Sequence, residues 1–104
     1  MKKTNVRAPL VHLNGTGVES LVTQYTEVAR NCRDTLKALE VATPHGRDYY
    51  LLEEGSYAQA VKEHMARIAA IRKVMDEVNE IAWNISAQRD QASLDVLKRS
   101  RQQG

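Results

Sequence analysis

The stretch SYAQAVKEHMARIAAIRKVMDEVNEIAWNIS, residues 56–86, decides the fold. Its apolar or weakly polar positions are Val61, His64, Ile68, Ile71, Met75, Val78, Ala82 and Ile85. They step by three and four throughout, the seam of a coiled coil or antiparallel helical bundle. Met65, Val74 and Ile81 flank the seam, so the stripe is wider than one partner helix requires. Ser56 and Gln59, just after Gly55, have the spacing of a capping box at the helix start. Past Ile85 the seam dissolves into Ser86–Gln91. A weakly amphipathic run with Leu94, Val96 and Leu97 reads either as a short helix or as a continuation, and Arg101–Gly104 is expected to fray.

Outward toward the N-terminus lies a second helical pattern. Thr16 and Glu19 form a T-x-x-E capping box. Val18, Leu21, Val22, Tyr25, Val28, Ala29, Cys32, Leu36 and Leu39 then recur on one helical face. Pro44 disfavours helical backbone at Thr43 and ends the run. With no phenylalanine and no alternating β-branched run, strand signals are missing. The expected fold is all-α: an antiparallel two-helix hairpin, about 17–42 and 57–86 with room to extend, associating into an oligomeric helical bundle. Residues 1–15 read as an extended basic arm and helix-entry loop, 16–86 as the hairpin, and 87–104 as a polar, basic tail, partly helical or frayed.

Association follows from burial. Two rods of about 40–45 Å packed only on each other leave one side of each wet. Ordering costs of roughly 1–2 kcal/mol per residue nearly cancel so small a core. Copies of the chain are therefore expected to associate, most simply as a dimer forming a four-helix bundle, with a higher symmetric assembly as the alternative. Met65, Ile68, Val74, Met75, Val78, Ile81 and Trp83 are the expected contact residues. His64 reads as a core or partner-facing histidine, and Glu77 and Glu80 as solvent-facing charges.

With 104 residues the chain holds one small domain. A single cysteine, Cys32, makes no internal disulfide, and no His/Cys/Asp/Glu grouping has metal-site spacing, so neither a metal nor a cofactor is expected. No apolar run reaches the roughly 18 residues of a membrane span, and Met1-Lys2-Lys3 lacks the apolar core of a signal peptide. A cytoplasmic, membrane-independent protein is the expectation. The formal charge of +2 hides basic ends around a net acidic body. Nucleic-acid binding would want a basic stripe on that body, and none is present.

Two segments stand apart from helix surface and core. His12-Leu13-Asn14-Gly15-Thr16-Gly17 leads into the first helix, where glycines allow close backbone approach and free amides favour an anion. The plainer reading is a cap and entry turn. Pro44-His45-Gly46-Arg47-Asp48-Tyr49-Tyr50 connects the helices. Its arginine can fork onto a phosphate, its tyrosines can stack a base, and Asp48 can accept from a ribose hydroxyl. The plainer reading is a bundle cap in which Tyr49, Leu51 and Leu52 cover the core end while Arg47 and Asp48 pair locally. The candidate ligand-binding residues are thus His12, Asn14, Gly15, Thr16, His45, Arg47, Asp48, Tyr49 and Tyr50. The segments sit at opposite ends of the first helix, so one ligand could use both only at a junction between copies. No nucleophile, base and orienter stand together, and no enzyme is expected.

The pairing of His12-Leu13-Asn14-Gly15-Thr16 with Pro44-His45-Gly46-Arg47-Asp48-Tyr49-Tyr50 across one helix resembles a family of short uncharacterised phage and prophage proteins. More loosely, the chain is similar to the helical-hairpin sponges that phages use against CBASS and Thoeris immunity, which also carry a tryptophan and asparagine near the end of a long helix, as Trp83-Asn84 does here. The resemblance implies an anti-defence protein of the infected bacterial cytoplasm. Such a protein would sequester a cyclic-nucleotide or ADP-ribose type messenger at subunit junctions without cleaving it. The helical stripe supports equally a non-catalytic adaptor or inhibitor that docks on a host or phage protein.

Overall fold

A computed structural model describes residues 6–103, with side chains as far as Arg99. The described residues contain helix α1, Val18–Val41, a 3-10 turn, Gly46–Asp48, and helix α2, Ser56–Gln103. No strand occurs among them, and α1 and α2 pack on each other as an antiparallel hairpin. The molecule is a rod of 79 × 21 × 20 Å.

α1 starts without the expected capping box. Gly17 is the N-cap, in extended backbone, and no side chain caps the helix. The Glu19 carboxylate is drawn elsewhere, to the Arg89 guanidinium of α2 at 2.6 Å. At the other end the Thr43 hydroxyl donates to the Glu40 carbonyl at 2.7 Å, satisfying an orphan acceptor just before Pro44. The Ser56–Gln59 box is also redirected, because the Gln59 amide donates forward to Glu63 at 3.0 Å. The turn into α2 relies instead on Gly55, whose φ of +89° a side chain would strain.

α2 does not stop near Ser86. It runs unbroken through Gln103, 48 residues in all, so of the readings open for the segment past Ser86 the helical continuation holds. The fading seam had suggested an ending, but helix continues wherever good helix formers persist without glycine or proline. Residues 87–103 contain neither.

The Glu19–Arg89 pair sets the register. With equal rise on both helices, Ala29 lies level with Asn79, and Pro44 level with His64. Ala29 and Ala82, 4% and 7% exposed, fall within a turn of each other, where small side chains let the backbones approach. Ile85 is the one large side chain among the described residues that is fully enclosed. Seam residues Ile68, Met75 and Val78 are half-buried.

From Met75 to Ala82 every α2 side chain is at least half-buried. Successive residues turn by about 100° and sample all sides of a helix, so α1 alone cannot cover them. Glu80, expected in solvent, is only 8% exposed. Part of the second covering layer is the N-terminal segment, in which Val6, Ala8, Pro9 and Val11 are half-buried. Gln88 clamps it: Oε1 accepts from the Val11 N–H and Nε2 donates to the Pro9 carbonyl, both at 2.9 Å. A carboxamide offers one donor and one acceptor side by side, as a neighbouring strand would. Of the segment expected as an extended arm, the described residues 6–11 form a strap across α2, and residues 1–5 lie outside the described residues.

Candidate functional site

The connector folds as a chain of turns against the start of α2. Backbone hydrogen bonds run from Asp48 to His45, Tyr49 to Gly46, Leu52 to Tyr49 and Ser56 to Glu53, at 3.0–3.1 Å. These leave Tyr49 inward, its ring 6.1 Å from that of Tyr57 and tilted by 44°. Gly46 lies beside the same Tyr57 ring. Around this aromatic pair, His45, Arg47, Asp48 and Tyr50 are exposed, Tyr50 to 75%. Arg47 and Asp48 form no ion pair among the described residues. The arginine and the second tyrosine are therefore presented to solvent while Tyr49 anchors the connector.

Level with Pro44, one turn deeper, His64 is 5% exposed, and its Nε2 makes no hydrogen bond to any described residue. It occupies the core side of the seam.

The second sequence motif lies at the other end. His12, Leu13, Asn14, Gly15 and Thr16 are all exposed, closed by a turn in which the Gly15 N–H donates to the His12 carbonyl at 3.1 Å. The His12 ring stacks back over Gly15, where a Cβ would come within 2.8 Å of Nε2. The 24 residues of α1, about 36 Å at the helical rise, separate this loop from the connector. Within one chain the two motifs do not meet.

Beside the entry loop is a feature the motifs did not signal. Beyond the start of α1, α2 projects alone and forms an open groove of about 700 Å³ with the strap. Val11, Val18, Ala92, Val96 and Leu97 line it, with Gln88 and Arg89 on its rim. Only the apolar run Leu94-Val96-Leu97 hinted at it, because the strap that forms the opposite wall carries no periodic pattern.

Of the expected contact residues, Met65, Val74 and Trp83 are exposed, to 56%, 41% and 59%, whereas Ile81 is half-buried. Among the described residues no group of three or more His, Cys, Asp or Glu is placed to hold a metal ion. No helix among them is long and apolar enough to cross a membrane. The chain matches no protein-family model, no curated protein and no solved structure.

Proposed function

We propose that the chain is a non-catalytic, self-associating phage protein that binds and sequesters a nucleotide-derived immune messenger in the infected bacterial cytoplasm. The observation that carries this reading is the connector, where His45, Arg47 and Tyr50 stand exposed around the Tyr49–Tyr57 pair. A guanidinium beside exposed aromatic faces suits a phosphorylated nucleoside. The resemblance of the two loop motifs to phage proteins points the same way. Because the entry loop and connector are a helix length apart, a ligand held by both sits between copies, with His12, Asn14, Gly15 and Thr16 supplied by one and Arg47, Asp48 and Tyr50 by another.

Thermal denaturation with a panel of cyclic nucleotides and ADP-ribose derivatives tests the reading. A ligand present at about 100 times its Kd stabilises the native state by about 2.7 kcal/mol, a shift of many degrees in a chain this small. A flat response across the panel overturns it.

A second reading, an adaptor docking on a host or phage protein, is favoured by the apolar groove on the projecting end of α2. It predicts that Val96→Glu abolishes partner capture, whereas Arg47→Ala does not.

A further inference from the structure

α2 carries a second seam, of which Leu97 alone also lines the groove beside the strap. Met65, Arg72, Asp76, Trp83, Ala87, Asp90, Leu94 and Leu97 are spaced by seven, four, seven, four, three, four and three. That spacing places them on one side of the helix, about a quarter turn from the face that meets α1. Along it Met65, Trp83, Leu94 and Leu97 are 56%, 59%, 51% and 56% exposed, an apolar row broken by isolated charges.

Two pairs of residues in this seam, four of its eight, are self-complementary in order. Met65 and Leu97 are equidistant from Ile81, and so are Arg72 and Asp90. If a second α2 lies antiparallel on the first with its two-fold axis at Ile81, thioether meets isobutyl at both ends and guanidinium meets carboxylate between them. Trp83, two residues from the axis, falls at the centre, where a desolvated aromatic contributes most to an interface. Arg72 has no ion-pair partner among the described residues of its own chain.

Taking up the self-association proposed above, on which it rests, we propose that a second copy of this chain covers this seam in antiparallel register about Ile81. The pairing is isologous, so each contact forms twice. It also brings the connector of one copy to the same end of the assembly as the entry loop of the other. With only three apolar side chains buried among the described residues, a second copy is the occupant that supplies the missing core.

The test uses the full-length protein. Sedimentation at high micromolar concentration is expected to give twice the 11.7 kDa chain mass. Trp83 is the single tryptophan, so dilution through dissociation is expected to shift its emission to the red. Arg72→Glu is expected to weaken the dimer at least tenfold, and adding Asp90→Arg to restore it. In a Cys32→Ser background, a short bismaleimide should link Met65→Cys chains to Leu97→Cys chains in a mixture, and neither variant to itself. Within one chain the two sites are about 48 Å apart along α2, so such a link can only be intermolecular. A helical species of single-chain mass overturns the pairing, as does a dimer in which the charge swap fails to rescue or the mixed cross-link is missing. Ligand binding is read separately by thermal shift, so a monomer that still binds a nucleotide sinks the pairing and leaves the binding reading standing.

Discussion

Gln88 of α2 holds Val11 of the N-terminal segment through a 2.9 Å hydrogen bond, 77 residues away in sequence. The same carboxamide donates to the Pro9 carbonyl at 2.9 Å, so one side chain satisfies two backbone groups of the strap. Gln88→Ala is expected to cost about 1–2 kcal/mol. Trypsin should then cut after Arg7 faster, and the Val11 amide should exchange faster, while α2 keeps its helicity. Unchanged protection at Val11 would mean that packing alone holds the strap.

Ile85 is fully enclosed, the largest side chain among the described residues to be so. Ile85→Ala is expected to lose about 2–5 kcal/mol and Ile85→Val about 0.5–1.5 kcal/mol, read by urea denaturation. A loss below about 1 kcal/mol for the alanine variant would mean the hairpin is not packed as described.

His64 replaces an aliphatic residue in the seam and buries a ring nitrogen without a partner among the described residues. An unsatisfied buried polar atom costs about 1–3 kcal/mol, and leucine is of similar size. His64→Leu is therefore expected to raise the melting midpoint. A fall would show that the imidazole has a structural or ligand-binding task under the connector.

Arg47 and Tyr50 are exposed and make no described contact that the hairpin needs. Arg47→Ala and Tyr50→Ala should leave the unliganded midpoint within about 0.5 kcal/mol of the parent. Each is expected to remove most of the ligand-induced shift. Tyr49→Ala, by contrast, should lower the unliganded midpoint, because its ring packs on Tyr57.

The seam from Val61 to Ile85 made the hairpin legible, since a three-four alternation of apolar residues has one physical solution. α1 was found to within one residue at each end for the same reason, with Pro44 marking its stop. The capping boxes misled because a favourable spacing is only an option. Glu19 has a cation across the hairpin, and Gln59 has Glu63 one turn ahead, and both partners compete with the backbone amides. Glu80 was misread because α2 side chains on every side of the helix from Met75 to Ala82 are at least half-buried, which a seam read against one partner does not show. The projecting end of α2 was hard to see since its polar residues are ordinary helix formers. The connector residues were legible as a group because histidine, arginine and paired tyrosines are seldom concentrated in a turn, though their exposure follows only from the turns that fix them.

A body almost four times longer than it is wide drags through solvent far more than a ball of the same mass. On a gel-filtration column even a lone chain will emerge early, with the apparent size of a much heavier globule. Elution volume will therefore mimic assembly whether or not assembly occurs, and counting chains requires scattering or sedimentation, which separate weight from shape.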